Sequence, residues 1–123
     1  MSAAPADANA RDGEPWPAGA RRRLAETDAA LAARFDANED IDRLARERTR
    51  AVDALVREAW AIHVGERDSL ALFAVGGYGR GELFPHSDID LLALAGEDVQ
   101  AESEEALAAF FAALWDAGLP VGH

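Results

Sequence analysis

"VGGYGRGELFPHSDIDLLAL", Val75 to Leu94, is the stretch on which the reading of the chain turns. The run that leads into it, "SLALFAV" from Ser69 to Val75, is short, apolar and bounded by turn residues, as a buried strand is. Gly76 to Ser87 holds four glycines and Pro85, which makes it a loop and forbids a helix through the proline. Asp88 to Leu94 reads as a second strand. Alternate strand residues share a face, so Asp88 and Asp90 belong together while Ile89 and Leu91 take the core side.

Two carboxylates held side by side raise each other's pKa unless a cation lies between them. An oxygen-only donor pair favours a hard cation such as Mg²⁺. The plain alternative is a strand end with two solvated aspartates, one of them capping the turn through Ser87. The loop bears on that choice. Gly76 and Gly77 come directly off a strand, where missing side chains let a ligand approach backbone N–H groups. Together with Arg80 such groups would cradle phosphate oxygens. Other glycine-rich templates fail: a G-x-G-x-x-G pattern starting at Gly77 meets Glu82 where a glycine is needed, and no Gly-Lys-Ser/Thr follows. A dinucleotide fold and a P-loop are both excluded. A glycine-rich hairpin loop would explain the glycines but not the aspartates after them.

Outward from this stretch the period becomes helical. A helix is expected from about Ala20 to Asp36 with Leu24, Leu31 and Phe35 at helical spacing, and a stronger one from about Asp40 to His63. In the second, Ile41, Leu44, Val52, Leu55, Val56, Ala59 and Ile62 form one stripe, and Arg43, Arg46, Arg50 and Arg57 fall largely elsewhere. These arginines, with Glu47 and Glu58, read as a solvated face carrying local ion pairs. Glu102 to Trp115 is a third helix with Leu107, Phe110, Phe111 and Leu114 inward and Gly118 as its stop. Trp60 and Trp115 lie in helical stripes and are expected in the core. "LPVGH" reads as the opening of a third strand. Residues 1–19, rich in Ala, Pro, Gly and Asp, read as a disordered tail. The expected organisation is α+β: a tail (1–19), N-terminal helices (20–64), and a small mixed sheet with a helix between strands (65–123).

Composition narrows the partners. The 123 residues suffice for one domain at most, and half of them are hydrophobic. All 12 basic residues are arginine, yet the formal net charge is −11, with no basic surplus to replace phosphate counterions. A nucleic-acid partner is therefore not expected. No apolar run is long enough to span a bilayer, and the N-terminus lacks the pattern of a signal peptide. With no cysteine there is neither a disulfide framework nor a thiolate metal site, which suits a reducing compartment. The expectation is a soluble cytoplasmic protein with no membrane partner.

Gly76-Gly77, ten intervening residues, then Asp88-Ile89-Asp90-Leu91 resembles the signature of the polymerase-β-like nucleotidyltransferase superfamily. The longer string "AVGGYGRGELFPHSDIDLL" is similar in particular to the bacterial PII uridylyltransferases, as are "RAVDALVREAW" before it and "LWDAGLPVGH" after it. The resemblance runs from roughly Arg46 to His123. It implies transfer of UMP from UTP to a tyrosine hydroxyl of the PII nitrogen-signalling protein, with two Mg²⁺ ions stabilising the attacking and leaving oxygens. On that pattern Asp88 and Asp90 are catalytic metal ligands, Gly76 and Gly77 contact the phosphates, Arg80 binds phosphate, and Ser87 and Glu82 support the loop. The superfamily takes a third carboxylate from a later strand, and these uridylyltransferases continue into HD-type phosphohydrolase and ACT domains. No His-Asp dipeptide occurs here, so the resemblance implies an N-terminal part of such an enzyme, truncated at the C-terminus and inactive alone. Two alternatives stay open: a small stand-alone nucleotidyltransferase of the minimal type, and a non-catalytic nucleotide- or partner-binding fragment.

Overall fold

A computed structural model of the chain describes residues 13–65, 70–75, 79, 89–95, 101–119 and 121–122. Helix α1 spans Trp16–Asp36 and so begins before Ala20. Pro17 does not oppose this, because the first helical turn has no use for its missing N–H. The N–H groups of Ala18 and Gly19 donate to the Pro15 carbonyl at 3.1 and 3.3 Å, closing that turn. Trp16 anchors it: the indole packs against the core, and its Nε1 donates to Glu58 at 3.0 Å. The expected disordered tail is therefore corrected for residues 16–19, which are helical, and residues 1–12 lie outside the described residues.

Asn38, with φ of 69°, takes the left-handed turn after α1, a conformation that asparagine tolerates better than most residues. Asp40 then caps α2, Ile41–His63, accepting from the Asp42 N–H at 3.3 Å. Leu44, Val52, Leu55, Val56 and Ala59 are buried as their spacing requires. The two ends of the stripe are not: Ile41 is 40% and Ile62 47% exposed, and Phe35 at the end of α1 is 53% exposed. These three occupy terminal turns, where neighbouring elements give less cover.

Arg43, Arg46, Arg50 and Arg57 are exposed, as expected. The ion pairs are a correction, because they join two helices rather than running along one. Glu58 of α2 pairs with Arg23 of α1 at 2.7 Å. Glu47 pairs with Arg34, which also holds Glu39 of the connecting turn at 2.8 Å. Arg48 is buried at 4% exposure and donates from Nε to Asp28 Oδ1 at 2.7 Å. A guanidinium at this depth needs such a partner, since a buried unpaired charge is far more costly than an exposed one.

Strand β1, Leu70–Val75, pairs antiparallel with β2, Ile89–Ala95. Helix α3, Ala101–Asp116, carries the chain back so that β3, Val121–Gly122, lies parallel to β2. The sheet is mixed, in the order β1-β2-β3, with a helix between its last two strands. One core joins helices to sheet: Leu24, Val52, Leu55, Leu70, Leu91, Phe110, Leu114 and Val121 belong to a single buried cluster. Phe110 is fully buried and meets Trp60 edge-on at 5.1 Å between ring centroids. Trp60 thus packs on the core, but Trp115 is 55% exposed, against expectation. Leu107, Phe110, Phe111 and Leu114 already make the inward stripe, and Trp115 follows Leu114 about 100° further round the helix.

Two stability effects follow. Asp28→Ala should cost about 2–3 kcal/mol in urea denaturation, because it strands buried Arg48, whereas Arg23→Ala in a more exposed pair should cost less than about 1 kcal/mol. Hydrogen bonds from the Arg34 guanidinium, aided by its charge and that of Arg43, hold the Glu39 carboxyl below its ordinary range. A depressed carboxylate contributes stability above its unfolded pKa of about 4.3 and loses it as pH falls through the folded value. Glu39→Gln should therefore flatten part of the acid limb of a stability–pH curve below about pH 4.3 and leave the neutral limb unchanged in slope.

Candidate functional site

The register of the sheet fixes where the glycine–aspartate stretch begins and ends. Val75, last residue of β1, is the antiparallel partner of Asp90, the second residue of β2. Such partners lie about 4.5–5.5 Å apart at Cα. The described residues that bracket residues 76–88 therefore lie close together in the sheet. On its other flank Asp90 is the parallel partner of Gly122, and Ile89 of Val121. Asp90 is thus in the central strand, between the end of β1 and β3.

Strand alternation assigns the faces. Leu70 and Leu91 are buried and Leu72 packs on the core, so their register positions define the packed face. Ala71, between Leu70 and Leu72, is exposed. Asp90 alternates with Leu91 and takes the opposite set of register positions. Of the expected site residues, the structure places only the Asp90 backbone. Its side chain, and Gly76, Gly77, Arg80, Glu82, Ser87 and Asp88, lie outside the described residues.

A cavity of about 570 Å³ opens between α2 and the strands, lined by Asp53, Arg57, Trp60, Leu72 and Leu91 among others. It lies on the Leu91 side of the sheet. Sequence reading missed these lining charges, although Asp53, Val56, Arg57 and Trp60 fall at offsets that put them on one side of α2. A smaller groove of about 290 Å³ between α1 and α2 is bordered by Leu31, Phe35, Ile41, Leu44 and Arg48. Among the described residues no group of three or more His, Asp or Glu could hold a metal ion. No described helix is long and apolar enough to cross a membrane.

Residues 56–121, more than half of the chain, match the family model described as "Nucleotidyltransferase domain". The matched stretch runs from within α2 through the first residue of β3 and takes in both strands that flank the glycine loop. The chain belongs to the nucleotidyltransferase domain family. Within it, the chain is 52% identical over 108 residues to a bifunctional uridylyltransferase/uridylyl-removing enzyme of Xanthomonas euvesicatoria, covering 88% of this chain and 12% of that protein. A protein of the same name from Xanthomonas campestris is 50% identical over 127 residues, covering all of this chain and 14% of the relative. One from Methylococcus capsulatus is 44% identical over 107 residues, covering 86% and 12% respectively. The resemblance seen in the glycine–aspartate string is therefore borne out over most of the chain, which spans 12–14% of the length of these relatives. No solved structure matches.

The alternation at Leu91 and Asp90 separates packing from chemistry in a measurable way. Leu91→Ala should cost about 2–5 kcal/mol of stability, whereas Asp90→Asn should change it by no more than about 0.5 kcal/mol. Urea denaturation of the two variants checks the assignment.

Proposed function

We propose that this chain carries the phosphate- and metal-binding part of an enzyme that transfers UMP from UTP to a tyrosine hydroxyl of the PII signalling protein. The observation that supports the reading is the pairing of Val75, the residue before Gly76, with Asp90 of the Asp-x-Asp sequence. A phosphate-accepting turn and a carboxylate pair are useful together only if a phosphate and a cation meet between them. The relatives' shared name, uridylyltransferase, supplies the nucleotide. Their other named activity, uridylyl removal, is not assigned to these residues. On this reading the fold is polymerase-β-like, with α1 and α2 leading into a nucleotidyltransferase region of residues 65–123.

The donor chemistry fits a hard divalent cation. Asp88 and Asp90 offer only oxygen, and the chain has no thiolate to compete. These two carboxylates would hold Mg²⁺, which when bound neutralises charge on the triphosphate. The backbone N–H groups of Gly76 and Gly77 would bind phosphate oxygens, and the Arg80 guanidinium would add a charge-assisted hydrogen bond. The tyrosine hydroxyl oxygen attacks the α-phosphorus as its proton passes to solvent, the bond from that phosphorus to the α,β-bridging oxygen breaks, and pyrophosphate leaves. The residues of this chain act on that displacement by holding the triphosphate still and in line.

The test replaces the matching segment of the Xanthomonas campestris relative with this chain and follows labelled UTP onto PII. Asp88→Asn and Asp90→Asn should each abolish transfer in a folded chimaera. Near-normal transfer by both variants would remove the carboxylates from the mechanism. Arg80→Ala should weaken UTP binding by about 1.5–3 kcal/mol, the worth of one charge-assisted hydrogen bond, and calorimetric titration reads this directly.

A further inference from the structure

Helix α3 ends unfavourably on its own terms. Its last turn holds no basic residue and closes on Asp116, placing a carboxylate at the negative end of the helix dipole. The missing cation comes from α1. Arg21 Nη2 donates to the Asp116 carbonyl at 2.5 Å, one of the carbonyls that a helix C-terminus leaves without an intrahelical partner. The same guanidinium lies against Gly118, where a Cβ would meet Arg21 Cζ at 3.7 Å. Gly118 has φ of 83°, and with Leu119 it closes the helix through N–H donation to the Trp115 and Leu114 carbonyls at 2.9 and 3.0 Å. Directly after this turn Leu119 and Val121 are buried at 0% and 2% exposure, and Gly122 pairs with Asp90.

The neighbouring arginines are engaged elsewhere, Arg22 with Glu14 at 2.6 Å and Arg23 with Glu58 at 2.7 Å. The triplet Arg21-Arg22-Arg23 is thus not a basic patch but three separate attachments, and one of them reaches across the fold to the turn that leads from α3 into β3. We infer that Arg21 is a positioning residue: by capping α3 from α1 it holds the Gly118 turn, and through that turn the strand β3 that flanks Asp90. The geometry stands on the structure, and its consequence for metal binding rests on the proposed role of Asp90.

The experiment measures amide exchange and Mn²⁺ binding on the full chain. Arg21→Ala should speed exchange at Leu119, Val121 and Gly122 by about fivefold, the worth of a helix-end cation, while Leu55 and Val56 in α2 stay protected. The Mn²⁺ dissociation constant should rise in the same variant. Arg21→Lys should recover part of both effects, because an ammonium group still donates to a carbonyl. Gly118→Ala should reproduce the fast exchange through left-handed strain with Arg21 intact. Unchanged exchange at residues 119–122 in Arg21→Ala would overturn the inference, and so would equal acceleration throughout the chain. Fast local exchange with unaltered Mn²⁺ affinity would sever the clamp from the site and also overturn it. If the unmodified chain binds no Mn²⁺, the metal reading of Asp90 fails, and the exchange data alone decide whether Arg21 holds β3.

Discussion

Phe110 is the contact on which the arrangement of the sheet depends. It is fully buried in α3 and meets Trp60 of α2 edge-on, with Phe111 a further 5.0 Å away on the same helix. A parallel pair such as β2–β3 requires a crossover connection, which α3 supplies here. Here α3 docks on α2 through this aromatic contact, so the place of β3 beside Asp90 is set by packing remote from the aspartate. Truncating such a ring in a core costs about 3–5 kcal/mol, a large part of what a small domain has in reserve. The N-terminal helices are therefore structural parents of the site rather than an appendage to it.

The helical hairpin is joined to the rest by a second kind of contact. Trp16 and Arg23 of α1 converge on Glu58 of α2, Arg34 bridges Glu39 and Glu47, and Arg48 reaches Asp28. Most of these are half-exposed and individually weak. Arg48 differs because its head is buried, so its pairing determines how α1 and α2 register against each other: sliding one helix by a turn would leave a charge without its partner in the core.

The elements were legible because their periods are clean. Leu44 to Ala59 repeats at helical spacing, Leu70–Val75 is apolar throughout, and Gly118 stops α3 where a left-handed residue is needed. What sequence could not show is which element covers which. Trp16 reads as a stray aromatic in a Pro- and Ala-rich tail until Glu58, 42 residues later, is placed beside it. Trp115 reads as core until Phe111 and Leu114 are seen to fill that face of α3. Glu47 and Glu58 read as local partners of α2 arginines because spacing along one helix is visible and the approach of a second is not. The candidate site is the reverse case. Its glycines and aspartates are close in sequence, and of the described residues around them Val75 and Asp90 are paired in the sheet.

The charge of the molecule constrains how the proposed site could work. At a net charge of −11 the surface as a whole repels a triphosphate. Of the described arginines, Arg21, Arg22, Arg23, Arg34 and Arg48 are committed to carbonyls and carboxylates within the fold, while Arg43, Arg46, Arg50 and Arg57 lie exposed on α2. On the proposed reading, short-range attraction would come from Arg80, from backbone N–H groups and from a divalent cation between the aspartates. Screening confines the general repulsion to about 10 Å at 0.1 M salt, so added salt should speed encounter with the nucleotide without dissolving contacts inside the site. The acidic surface also discriminates between forms of the ligand. A free nucleotide brings its full negative charge to a pair of carboxylates, whereas one already carrying Mg²⁺ brings the cation that those carboxylates require. On the proposed reading, an acidic chain with such a site would favour taking the metal and the nucleotide together.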